Sequence, residues 1–157
     1  MTVKEVMTKP VTACRLDTNL AEAAALMWEH NCGILPVLNE NGKLAGVVTD
    51  RDLCIALGTR NVPSSELSVQ DVVNHHARVC KTNDDIHTAL WHMSEGKVRR
   101  LPVVNDDATL EGIVSMDDVV LNAQHDVRFD SAISFGDVVT TLQAIYSRDD
   151  PGQAAVA

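Results

Sequence analysis

Slid along itself by 66 residues without a gap, the sequence meets a second copy of itself. Residues 3–57 fall on 69–123, and fourteen of those 55 positions are identical, where average residue frequencies give about three. Val3 and Val6 fall on Val69 and Val72, Cys14 on Cys80, Met27 on Met93, Leu35-Pro36-Val37 on Leu101-Pro102-Val103, Gly46 on Gly112 and Asp52 on Asp118. The same offset lays Leu67–Val73 on Ile133–Val139, so the opening of a unit recurs a third time without its body. A unit of this size carries too few helices to cover both faces of a sheet. It must bury the open face against its twin.

Each unit reads in the same order. A short amphipathic turn (Val3, Val6, Met7) leads through Pro10 to a short strand at Val11–Cys14. A helix follows, with Asp17 or Thr18 as N-cap and Leu20, Ala23, Ala24 and Met27 on one face. Strands at Ile34–Leu38 and Leu44–Val48 flank the turn Asn39–Gly42, and a second helix runs from Asp50 to Leu57. Unit two repeats this β-α-β-β-α order from Val79 to Ala123, after a Gly-, Pro- and Ser-bearing linker at residues 58–66. The expected boundaries are 1–61 for the first repeat, 67–125 for the second, 131–147 for a helical extension through Leu142 and Ile145, and 148–157 for a disordered tail. The extension needs a seat on its own repeats or on another protomer, and we expect it to help two chains pair.

Composition narrows the function. The chain has 157 residues, 45% of them hydrophobic and 22% charged, as in an ordinary globule. No run approaches the ~18 apolar residues of a membrane span, and the first ten residues lack the apolar core of a signal peptide. A cytoplasmic protein without a membrane partner is expected. Thirteen basic against 22 acidic residues give a net charge of −9, which repels a phosphate backbone and argues against nucleic acid. The four cysteines, 14, 32, 54 and 80, form no CxxC pair.

The repeats resemble the CBS-domain family. The likeness rests on Val-x-x-Val at each start, on Leu-Pro-Val in each middle, and on GVVTDRD and GIVSMDD at each end, which fit the family pattern G-h-h-[T/S]-x-x-D. It covers about residues 1–123, as a stand-alone tandem pair, or Bateman module. It implies an α/β fold of two β-α-β-β-α repeats packed face to face as a pseudo-twofold pair, here with a short C-terminal helix. It further implies clefts that bind AMP, ADP or ATP, with S-adenosylmethionine as a further member of the class. Pairing into a homodimer and regulation of a separate effector protein complete the expectation, with no catalysis and no cofactor.

The chemistry suits the likeness. Thr49 and Ser115 sit where a strand hands over to a helix, where a hydroxyl and open N–H groups favour a phosphate. Asp52 and Asp118, three residues on, can accept the two hydroxyls of a ribose. Leaving such a buried group unpaired costs about 1–3 kcal/mol. In the family the first strand gives main-chain contacts to the base, which maps to Val11, Thr12 and Ala13 and to Ala77, Arg78 and Val79. Ile34, Pro36 and Pro102 are the candidate apolar walls, and Arg51, Lys97, Arg99 and Arg100 the candidate phosphate neutralisers. Cys32-Gly33-Ile34 stands where unit two has Val98-Arg99-Arg100, so two non-equivalent sites are expected.

The plainer reading of [ST]-x-x-[DE] is a helix capping box, and it can coexist with a ligand. Two other functions compete: a ligand-free scaffold of the same fold, and zinc held by some set of His75, His76, His87, His92 and Cys80. Cys14 and Cys80 occupy equivalent strand positions, which reads as core and not as a nucleophile. Of Trp28 and Trp91, one is expected in the core and one at an interface.

Overall fold

The computed structural model describes residues 1–125 and 132–147; the expected tail at 148–157 lies outside them. The fold is mixed α/β. Its elements are α1 (Val3–Val6), β1 (Cys14–Arg15), α2 (Leu20–Glu29), β2 (Ile34–Leu38), β3 (Leu44–Thr49), α3 (Asp50–Arg60), β4 (Cys80–Lys81), α4 (Ile86–Gly96), β5 (Arg100–Val104), β6 (Leu110–Ser115), α5 (Met116–Asn122) and α6 (Phe135–Tyr146). A 3-10 turn at Val69–Asp71 stands where α1 stands in the first repeat. Among the described residues there are two three-stranded sheets, ordered β1-β2-β3 and β4-β5-β6.

Local chemistry explains most boundaries. The stretch α2 is built from strong helix formers, and Leu20, Ala23 and Met27 bury one face of it. Its N-cap is Asn19, whose side chain accepts from the Glu22 N–H at 2.8 Å, and not Asp17 or Thr18. Thr18 instead accepts from the Arg15 N–H, closing the turn before the helix. The first strand is also later and shorter than its apolar run suggests. Only Cys14 and Arg15 pair with β2, opposite Val37 and Leu38, and Val11–Ala13 carries no regular structure. Pro36 is tolerated mid-strand because its partner Val47 bonds on its far side, exchanging both backbone bonds with Asn74. The N–H that proline lacks is one that β3 does not use.

The chain divides into two compact units that do not follow the repeats. One contains Met1–Thr8, Arg78–Val103 and the described residues from Ile113 onward; the other contains Lys9–Ala77 and Val104–Gly112. The leading segments are thus exchanged. In the first unit the Ile86 N–H donates to Met1 O, the Val3 N–H to Asp84 O, and Thr8 exchanges backbone bonds with Ile113. In the second, shifted by 66, the Leu20 N–H donates to Leu67 O, the Val69 N–H to Thr18 O, and Asn74 exchanges bonds with Val47. Each body offers the same seat, and each seat is filled by the other repeat's opening.

The cores follow suit. Val3 and Val6 join Ile86, Ala89, Met93, Leu101, Val103, Val114 and Val119. Val69 and Leu67 join Leu20, Ala23, Leu35, Val37, Val48 and Leu53. The third opening docks on the first of these cores: Ile133, Val138 and Ile145 lie in it, and α6 packs along α4 and α5. Both tryptophans are exposed, Trp28 at 87% and Trp91 at 55%, so the expectation that one is core fails. Both lie on exposed positions of their helices, Trp91 with the Arg78 guanidinium 5.9 Å from its ring centre.

Candidate functional site

The T-D-R-D and S-M-D-D sequences both fold as capping boxes. Asp52 Oδ2 accepts from the Thr49 N–H at 2.9 Å and from its hydroxyl at 2.7 Å, and the Asp52 N–H returns to Thr49 Oγ1 at 3.2 Å. Asp118 Oδ2 accepts from Ser115 N–H at 2.8 Å and from its hydroxyl at 2.6 Å, with the same 3.2 Å return. These bonds close orphan donors at the starts of α3 and α5. They also commit the hydroxyl proton of each cap to its own aspartate, so while the box holds neither hydroxyl has a proton for a phosphate.

The second carboxylate oxygens differ. Asp118 Oδ1 accepts from the Thr8 hydroxyl at 2.9 Å, delivered by the exchanged leading segment. The matching residue beside α3 is Asn74. Its side-chain oxygen is turned to the His76 N–H at 2.9 Å, and Asp52 Oδ1 has no hydrogen-bond partner among the described residues. Asp52 therefore keeps one open acceptor in a half-buried position, and Asp118 does not.

The basic candidates separate in the same way. Arg51, next to Asp52, has no side-chain partner among the described residues. In the other unit Arg100 faces Asp117 at 3.6 Å. Lys97 donates to the Ser147 carbonyl at 3.2 Å, and Arg78 lies over the Trp91 ring at 5.9 Å. Arg99 is exposed, and its carbonyl accepts from Met116 N–H. Ala77 and Val79 lie in the irregular stretch before β4, as Val11, Thr12 and Ala13 do before β1. Ile34 is half-buried at the start of β2, whereas Pro36 and Pro102 are buried within their strands. Sequence reasoning missed Thr8 and Asn74. They stand at equal positions of the repeat, and that equivalence was the only signal available.

The thiols and histidines carry no reactive cluster. Burial pushes Cys14 up to about 11 and Cys80 up to about 12, so both stay protonated at neutral pH. His87 instead bridges two helix starts, with Nδ1 2.8 Å from Asp85 and Nε2 3.6 Å from Asp137. Among the described residues no three His, Cys, Asp or Glu side chains converge in a way that holds a metal, and no helix is long and apolar enough to cross a membrane.

Known proteins supply the comparison. The chain is 33% identical over 132 residues to the CBS domain-containing protein YhcV of Bacillus subtilis, a match covering 84% of this chain and 92% of that one. It is 32% identical over 117 residues to a homoserine O-acetyltransferase of Methanobrevibacter ruminantium, but spans only 23% of that protein and 74% of this one. Among solved structures it is similar to Hypoxic Response Protein I with two coordinated zinc ions (29% identity, TM-score 0.71, covering 77% of this chain and 98% of that one). It is similar to the CBS domain pair of MJ0100 with 5'-methylthioadenosine and S-adenosyl-L-methionine (25%, TM-score 0.69, covering 77% and 94%). It is likewise similar to CBSX2 in complex with AMP (30%, TM-score 0.67, covering 76% and 93%). The CBS domain profile matches twice, at residues 3–59 and 69–124, one match on each copy of the internal repeat, and the chain belongs to the CBS-domain family.

Proposed function

We propose that this protein is an adenosine-nucleotide sensor that regulates a separate effector protein, works as a pair of identical chains in the cytoplasm, and is not an enzyme. AMP, ADP or ATP is the favoured ligand, with S-adenosylmethionine a related candidate; no cofactor takes part. The carrying observation is the Oδ1 of Asp52, open among the described residues, with Arg51, the residue before it, without a side-chain partner among them. A carboxylate with one oxygen fixed and one open accepts ribose hydroxyls without disturbing its cap. A neighbouring arginine neutralises phosphate as a two-pronged donor. The AMP complex of CBSX2 and the S-adenosyl-L-methionine complex of the MJ0100 pair support this ligand class.

Asp118 is the weaker candidate, since a ribose there must first displace the Thr8 hydroxyl. We assign the principal site to Asp52. Ligand binding then stabilises the bound arrangement by RT ln(1 + [L]/Kd), about 2.7 kcal/mol at a hundredfold excess over Kd, and shifts the population the effector meets.

Calorimetry with AMP, ADP, ATP and S-adenosylmethionine tests the assignment. We expect at least one to bind, with affinity lowered about tenfold or more by Asp52→Ala, the loss of a hydrogen bond to a charged group, and less by Asp118→Ala. Heat from none of the four overturns the sensor and leaves the scaffold reading. Stoichiometric zinc uptake in its place turns the assignment to metal, as the zinc-bound relative does for its own chain.

A further inference from the structure

One imidazole ties the start of α6 to the start of α4. His87 stands in the first turn of α4 with each ring nitrogen at a carboxylate: Nδ1 lies 2.8 Å from Asp85 Oδ1 and Nε2 lies 3.6 Å from Asp137 Oδ2. Each carboxylate also caps its own helix. Asp85 accepts from the His87 N–H at 2.9 Å. Asp137 accepts from the Ser134 N–H at 2.8 Å and from its hydroxyl at 2.6 Å. The caps hold both carboxylates at the ring. The first repeat is built without this bridge, with Ala21 at the place of His87 and Asn19 at that of Asp85.

A neutral imidazole carries a hydrogen on one nitrogen only. Whichever nitrogen that is, the other turns a lone pair on a carboxylate oxygen. The imidazolium has a hydrogen for each. The local field points the same way. A helix start presents about half a positive charge and a carboxylate a whole negative one, so two of each leave a net negative setting around the ring. The Met1 amine lies beyond Asp85, 3.7 Å from its Oδ2. Lys4 and Glu5 of α1 and Lys81 of β4 are the other charged residues on the elements packed against α4, and Glu5 is bound to Thr2. Along α4 itself, His92 and Glu95 lie more than a turn away from His87.

We propose that His87 is a proton-operated latch on α6: as the imidazolium it draws Asp85 and Asp137 together and holds the helix down, and on losing its proton it lets the start of the helix lift more often. What lifts is a cover, since Ile133, Val138 and Ile145 share a core with Leu90, Met93 and Val119. Histidine side chains change charge between about pH 5 and pH 8. Both aspartates stay ionised across that window. The Ser134 hydroxyl, against some burial and with the help of the Ser134 N–H and His87, holds Asp137 below the ordinary carboxylate value, and Asp85 is held low as well. The latch is therefore closed at the acid end of the window and loosened at the alkaline end. Its three side chains are 37%, 51% and 35% exposed, so water screens the bridge and its effect is several-fold, not orders of magnitude.

Amide hydrogen exchange of the full chain reads the latch as the protection of the α6 amides, each rate divided by its intrinsic rate, near the two ends of that window. The helix α2, with Ala21 in place of the histidine, is the internal control. In wild type, α6 protection should fall about two- to fivefold from the acid to the alkaline end while α2 stays level. The step should vanish in His87→Gln, which is polar but never charged, and shrink in Asp137→Asn, which keeps a capping oxygen without the charge. The two variants act at opposite ends of the bridge, so either one decides if the other fails to fold. An α6 equally protected at both ends in wild type overturns the latch. So does a step of the same size that survives in His87→Gln.

Discussion

The turns at Thr49–Asp52 and Ser115–Asp118 agree bond for bond within 0.1 Å, yet one aspartate is open and the other closed. Four local residues settle the cap, which is why the two match. Whether the remaining oxygen is available is settled by a residue brought from the other repeat: Thr8 reaches across, whereas Asn74 turns back to its own segment. Duplication copied the local chemistry faithfully. Divergence acted on what is delivered to it.

The comparison can be pressed at several strengths. The hardest test is the core beneath the two leading segments. Leu20 and Ile86 are equivalent and fully buried, so Leu20→Ala and Ile86→Ala should each lower stability by about 2–5 kcal/mol, read by urea unfolding. Equal losses mean twin cores; a larger loss at Ile86 shows that α6, which shares that core, adds to its hold. A smaller effect is expected in the hairpin turns. Gly42 and Ala108 are equivalent, and both adopt left-handed backbone, at φ 72° and 58°. Ala108→Gly should therefore stabilise the chain by about 1 kcal/mol, and Gly42→Ala destabilise it by a similar amount, read as shifts in thermal midpoint.

The smallest effect is one of pH. Repeat two caps α4 with Asp85, repeat one caps α2 with Asn19. Its hydrogen bond from the His87 N–H, opposed by slight burial and helped by the His87 side chain, holds Asp85 below its ordinary value. A depressed carboxylate contributes stability above its unfolded pKa and loses it as pH falls below about 4. Asp85→Asn should be neutral at pH 7, since the two residues cap alike, and should melt later than wild type in acid. Asn19→Asp should do the reverse.

Much of this was readable from the residues alone. The Leu-Pro-Val strands, the hairpin turns, the capping boxes and α6 follow from local pattern. Where local signals compete, the reading slipped. Asp17, Thr18 and Asn19 are all good caps, and only the turn bonded to Arg15 selects the last. The segment Val11–Ala13 is apolar enough for a strand but finds no partner until Cys14. The exchange of leading segments was invisible for a different reason. Both bodies present the same seat, so nothing in the sequence distinguishes a segment that docks at home from one that crosses. For the basic run, Lys97 and Arg100 were assigned to phosphate, and their partners Ser147 and Asp117 are contacts that spacing does not reveal.

The crossing also sets an order of events on the ribosome. Residues 1–8 are made before the residues from Arg78 onward on which they dock. The unit holding Lys9–Ala77 can close only after Val104–Gly112 has been made. Neither half can mature alone during synthesis: the nascent chain carries an unseated apolar tip until the second copy is nearly complete, and the two halves then finish together.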